Sequence, residues 1–565
     1  MARPSASIVP LAACLVLGLA AASCGKSASR GPAVMSAGGT TGAEVPQGGS
    51  EACGAELITS KRIVRLSLQQ VVNSFASLLG PDLASQVAES IELPSFAERA
   101  FLPLSGEGPA YGEATVRTLD HTARMVGKHV SDNFTDVTGC ASGDAECAQT
   151  FLVDFAEQAF RRPLGDDETQ RLLASYAGFL AVGSTVTAER ALEHGIAAVI
   201  HSPQFLYRSE LGEDPEAEGR LMPSEVASLL AYFVTDGPPD QPLLDAVAED
   251  ALSTPEQIET QAARLLATDA ARVSLENLML SYFGYPNLQS VVIQDDSFTS
   301  GMRGAMYQQG RLFLQETLWG APLDDLLLSR VGFANATLAP LYGLSQFPPP
   351  GATLDVNQFA RIELPAERVG LLTQPGVLAS RARPDDTSVV GRGLLVNSAF
   401  VCAESQPPLA GVAEPPVLPL DATPRQQAEA RAAQPDCSYC HDVFDAYGLA
   451  LERFDSLGRY RETYANGSAI DVAVTMPKEI GGGPARDIRE IAERLTEGGY
   501  WARCMTRNLF RVALADPSGG SAEVDGCAVE RALADLDTGV ASFPDVIRAV
   551  TMSEAFVSRK APPAP

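Results

Sequence analysis

Apolar residues recur at three- and four-residue intervals along most of this 565-residue chain, a period that commits it to helices rather than sheets. Ser67 caps a stretch whose inner face is Leu68, Val71, Val72, Phe75, Leu78 and Leu79, closed by Gly80. Phe151, Phe155, Ala159 and Phe160 mark a second helix, stopped by Arg161-Arg162-Pro163. Asp166 and Glu168 open a third, with Leu172, Leu173, Tyr176, Phe179 and Leu180 facing inward. Pro223-Ser224-Glu225 begins a further one over Val226, Leu229, Leu230 and Phe233, and the pattern continues through Leu265-Leu266 and residues 275–283. Period-two alternation is confined to residues 470–474. Breakers cut the helical text into blocks: an acidic stretch at 212–220, a proline run at 347–351, a proline-rich linker at 406–424 and Gly481-Gly482-Gly483-Pro484. The expected fold is mainly α, in serial helical domains over 56–136, 137–212, 213–350, 351–480 and 481–565.

The first residues read as an export signal. Arg3 is followed by an uncharged apolar run over 8–22, too short to span a membrane as a mature helix, and then by Ala21-Ala22-Ser23. Cys24 comes next, and the segment resembles a bacterial lipobox in which Cys24 is lipidated and becomes the first residue. Ala21 stands where such boxes usually have Leu, so simple cleavage of a signal over 1–23 stays open. Residues 24–55, rich in Gly, Ser, Thr, Ala and Pro, read as a flexible tether. No later apolar run reaches spanning length without a charge, so membrane contact is expected through the lipid anchor alone. A net charge of −28 argues against nucleic acid and against anionic lipid surfaces as partners.

Cys437-Ser438-Tyr439-Cys440-His441 is a C-x-x-C-H run. With 10 Cys and 5 His in the chain, chance supplies roughly 0.002 such runs, whereas covalent haem requires this spacing. Two thiols form thioethers to one haem and the adjacent imidazole ligates its iron. Two other readings compete: a disulfide beside an ordinary His, and a zinc site, for which no second ligand pair lies nearby. Haem c, one and covalent, is the expected cofactor, attached at Cys437 and Cys440 with His441 on the iron. Met476 before Pro477 is the candidate sixth ligand, although core packing suits it too, and His121, His129, His194 and His201 lie far upstream. Arg459 and Arg461 are candidate partners for the haem propionates, against ordinary ion pairing with Glu452 or Asp455. Among the remaining cysteines, Cys140 with Cys147 and Cys504 with Cys527 are the expected disulfides, leaving Cys53 and Cys402 to each other by elimination. No G-x-S-x-G, Walker-type loop or H-E-x-x-H occurs, and Gly481 to Gly483 reads as a turn.

Several landmarks, in order, resemble a known family. They are Arg65-Leu66-Ser67; Ala159 through Leu164 with Glu168; Ser202 through Arg208; Asn335 to Leu338 leading into Tyr342-Gly343; and Arg368-Val369-Gly370. Arg392-Gly393 follows, then Cys437 to Arg461 with Asp445, Gly448, Leu451-Glu452, Phe454-Asp455 and Gly458. Together these resemble the planctomycete-type multidomain proteins of unknown function, found also in myxobacteria, that carry a cytochrome c-like domain. The chain departs from that pattern in having no second C-x-x-C-H, and in Gln69-Gln70 where relatives tend to have an acidic and an aromatic residue. The functional expectation is an exported c-type haem protein in extracytoplasmic redox chemistry, either electron transfer to a redox partner or an oxidase- or peroxidase-like step. The alternative is a disulfide-stapled binding or assembly lipoprotein without haem.

Overall fold

The computed structural model describes residues 59–91, 112–183, 185–403, 418–419, 422–514, 522–534, 536–537 and 539–561. The signal segment, Cys24, Cys53 and the tether lie outside these residues, as does most of the proline-rich linker. What is described is mainly helical, with four two-stranded sheets among the described residues. No helix there is long and apolar enough to cross a membrane.

Local chemistry explains where the helices start and stop. Ser67 Oγ accepts the N–H of Gln70 at 3.1 Å while Gln70 Oε1 accepts the N–H of Ser67 at 3.0 Å, a reciprocal cap for Leu68–Leu79. Gln70, unusual beside the resembling family, is thus the second half of a capping box. The helix Ala145–Phe160 ends where Arg161 enters the left-handed region at φ 62°. A side chain there costs about 1 kcal/mol. The buried Arg161 guanidinium offsets that cost by donating to the carbonyls of Ala159, Phe205, Gln204 and Tyr207 at 2.6–3.2 Å.

Two cores result. Helices Leu68–Leu79, Pro81–Ile91, Glu113–Asp132, Ala145–Phe160 and Ala188–His201 bury Val71, Phe75, Val126, Leu152, Phe155 and Ile196 against one another. Residues of blocks 56–136 and 137–212 therefore share one core. The second core runs from Leu221 to Val557 and takes in residues of the three later blocks.

The sheets connect distant parts of the chain. Arg62–Arg65 pairs antiparallel with Tyr207–Glu210, Arg65 opposite Tyr207, and Gly219–Arg220 pairs with Ser558–Arg559 near the C-terminus. Glu210, fully buried, sits where these meet, at 3.0 Å from Arg62, 2.7 Å from Arg208 and 2.8 Å from Arg559. Burial alone would raise its carboxyl, but the three guanidinium groups outweigh that and hold it well below the ordinary range. The strand expected over 470–474 is reduced to Val474–Thr475, paired with Pro484–Ala485. The three glycines before Pro484 all adopt positive φ, which makes that segment the tight turn between these strands.

Cys140 and Cys147 form a disulfide with Cα atoms 5.7 Å apart. The expected pairing of Cys504 with Cys527 is not formed: Cys504 is bonded to Cys402, Cα atoms 5.2 Å apart. The helix Tyr500–Ala513 packs on the Asn397–Val401 turn, which brings these two sulfurs together across 102 residues of sequence. Cys402 is consequently no partner for Cys53, and Cys527 is disulfide-bonded elsewhere.

Candidate functional site

The C-x-x-C-H run forms the start of the helix Pro435–Ala450, with proline at its first turn, where no N–H is missed. On a helix, Cys437, Cys440, His441, Phe444 and Asp445 stand at i, i+3, i+4, i+7 and i+8 and share one face. Contacts at glycine hold this helix in place. A Cβ on Gly448 would lie 2.0 Å from the Val389 carbonyl oxygen, and one on Gly393 would lie 2.2 Å from that of Phe444. The helix Val389–Val396 therefore crosses Pro435–Ala450 backbone to backbone. Pro424–Ala432 and the strand Val474–Thr475 pack on it as well.

Behind the helix, buried arginines fasten the segment that follows it. Arg392 is 1% exposed and donates to the carbonyls of Leu451 (3.2 Å), Phe454 (2.6 Å) and Asp455. Burial lowers it to about 10, with Glu452 acting in the opposite sense. Arg368, equally buried, donates to Thr373 and Leu341 at 2.6 Å and to Gly458, and lies 4.9 Å from the Phe454 ring centre. Glu452 is fully buried and accepts from Thr387 Oγ1 at 2.7 Å and Arg461 at 3.3 Å; burial pushes its carboxyl up, while Arg392, the Thr387 bond and Arg461 pull it down. These are the most diagnostic landmarks of the sequence, and their work is structural.

Cys437 and Cys440 are thiols. His441, about one-fifth exposed, points Nδ1 at Asp445 Oδ1, 3.1 Å away, and the other carboxylate oxygen accepts from Arg431 at 3.1 Å. Arg431 on one helix, Asp445 and His441 on the next form a continuous line. Asp445 had a signal in the sequence, since i,i+4 on a helix is contact distance. Arg431 had none, because it reaches across from Pro424–Ala432.

The two arginines expected at the propionates make ion pairs. Arg459 is committed to Asp455 at 2.9 Å and to Asp295, and Arg461 to Glu452 and the face of the Tyr464 ring. The cation in line with His441 is Arg431. Met476 is buried in the second core, its N–H donating to Gly483 at 2.8 Å. The four upstream histidines lie on the helices Glu113–Asp132 and Ala188–His201 of the first core, where His194 stacks on Phe179 and His201 meets Asp120 at 3.3 Å.

The donor set fits a haem attached through thioethers: two thiols one turn apart on one helical face, followed at once by an imidazole whose Nδ1 is already engaged. Among the described residues no three His, Cys, Asp or Glu side chains converge as a bare metal-ion site would need.

Three family models match successive parts of the chain, each described as a protein of unknown function: PSD5 (DUF1595) over residues 147–210, PSD4 (DUF1592) over 221–344 and PSCyt3 (DUF1588) over 368–464. The last contains Arg368, Arg392, the C-x-x-C-H run and Arg461. No curated protein and no solved structure matches the chain. The chain is thus a multidomain protein of the planctomycete type, of unknown function, whose third matched module bears a cytochrome-like family name.

Proposed function

We propose that this is an exported protein, anchored by lipid at Cys24, that carries one haem c at Cys437 and Cys440 and works in extracytoplasmic redox chemistry. One observation carries the reading. Cys140, Cys147, Cys402, Cys504 and Cys527 are all in disulfides, whereas the C-x-x-C pair stays as thiols beside His441. Bound haem supplies one-electron chemistry at iron. Cys437 and Cys440 would hold it and His441 would ligate it, with its Nδ1 turned to Asp445. The cytochrome-like character of the matched module supports the same reading. Electron exchange with a redox partner is preferred over a substrate-oxidising step, with Met476 as the candidate sixth ligand.

The reading is tested by producing the full chain with a cytochrome c maturation system. Mass and absorption spectra should show one haem per chain, lost in Cys437→Ala/Cys440→Ala, and labelled fatty acid should enter the wild type but not Cys24→Ala. A chain that passes through an active maturation system without gaining haem overturns the cofactor. The packing of Cys437 and Phe444 into the core favours the haem-free, disulfide-stapled binding protein as the second reading, and that result would select it.

A further inference from the structure

We infer that Asp445 is a positioning residue that holds His441 in the Nδ1–H tautomer, leaving the Nε2 lone pair for a metal. The inference deepens the haem reading in naming what Nε2 meets, but the tautomer itself does not depend on that reading. Asp445 is 7% exposed, one turn beyond His441 on the same helix. Its Oδ2 accepts from Arg431 Nη2, so the carboxylate is an acceptor on that side. Its Oδ1, 3.1 Å from Nδ1, then takes the imidazole proton as a hydrogen bond, since two acceptors cannot face each other at that distance without one. In the neutral ring the proton on Nδ1 empties Nε2. The arrangement is that of a metal-ligating histidine with its outer-shell carboxylate already in place.

Arg431 gives the line a second property. A carboxylate partner raises the electron-donating strength of an imidazole, which favours ferric over ferrous iron. The guanidinium on the far oxygen draws charge away from the bond and moderates that effect. Asp445 and Arg431 therefore bias the iron in opposite directions, although they form one ion pair.

The test has two arms. In the first, the haem-free full chain labelled with ¹⁵N-histidine is studied by NMR, and the tautomer is read from spectra in which the His441 ring carries a single proton. His441 is one of 5 histidines and is identified by the resonance lost in His441→Gln. The expected wild-type signal is Nδ1 protonated, with Asp445→Ala moving the proton to Nε2 and Asp445→Asn, which keeps an acceptor oxygen, restoring Nδ1–H. Wild-type His441 protonated on Nε2 overturns the inference even if every variant misfolds. In the second arm the haem-loaded protein is titrated potentiometrically. Asp445→Asn should raise the midpoint potential and Arg431→Gln should lower it, with haem content unchanged by mass. Loaded variants whose potentials both equal the wild type also overturn it. A chain that takes up no haem defeats the proposed function, while the NMR arm still decides the tautomer.

Discussion

Arg161, Arg368 and Arg392 direct their guanidinium groups at main-chain carbonyls. Arg161 and Arg368 each gather at least three oxygens from separate segments of the chain, Arg392 takes three from the single stretch 451–455, and each is nearly or fully buried. The planar fork of arginine serves several acceptors at once, which the single ammonium of lysine cannot do in the same directions. Hydrogen bonds from a charged donor contribute about 1.5–3 kcal/mol each when buried. Arg392→Lys should therefore lower unfolding stability by about 3 kcal/mol, read in urea, although the charge is kept. A loss below about 0.5 kcal/mol, the size of an ordinary surface change, would show that the carbonyls find other donors. At this scale the C-x-x-C-H site was legible because its three residues fall within the one short run 437–441. The roles of Arg368 and Arg392 were not, since a carbonyl acceptor belongs to every residue and leaves no mark in the text. Arg459 and Arg461 left two readings open in the sequence, haem propionates or ion pairing, and Asp455, Asp295 and Glu452 stand within reach of them.

Among elements, the helix that carries the site depends on glycine as much as on apolar packing. Gly393 and Gly448 let Val389–Val396 and Pro435–Ala450 approach until main-chain atoms touch, and no side chain could replace either hydrogen without moving a helix. Overpacking of this kind costs about 1–3 kcal/mol, and the obstacle here is backbone, which does not rotate away. Gly448→Ala should cost about 2–3 kcal/mol in thermal or urea unfolding. It should also reduce the haem incorporated per chain, because the displaced helix carries Cys437, Cys440 and His441 with it. Wild-type stability and haem content in that variant would mean the two helices are not in contact. The long helices could be read from period and caps, as Ser67 and Gly80 illustrate. The strands could not: Arg62–Arg65 and Ala360–Glu363 are only four residues long, and Arg or Glu occupies three of their four ends. In such segments the pairing partner supplies the order, so Arg65-Leu66-Ser67 was legible as a helix start and not as the end of a strand lying on Tyr207.

For the described part of the molecule, serial blocks give way to closure across the sequence. Ser558–Arg559 returns to Gly219–Arg220, Arg559 reaches Glu210, and Lys560 exchanges main-chain bonds with Thr59 and Lys61. The disulfide between Cys402 and Cys504 is of the same kind. Reading along the chain favoured Cys527 for Cys504, as the nearer cysteine across a turn. Topology favoured Cys402, because the helix Tyr500–Ala513 lies against the Asn397–Val401 turn. The bond closes a loop that contains the entire C-x-x-C-H helix and both strands behind it. Closing a loop of 102 residues removes unfolded-state entropy worth about 4–5 kcal/mol, the upper end of what a single disulfide contributes. Cys402→Ser/Cys504→Ser should therefore lose stability of that order in the haem-free protein. Opening the short Cys140–Cys147 loop, seven residues in separation, should cost about 2–3 kcal/mol. The two double variants, compared in urea under non-reducing conditions, test whether the pairing follows topology. Equal losses, or a mass map that joins Cys504 to Cys527, would return the pairing to the one that sequence distance favours.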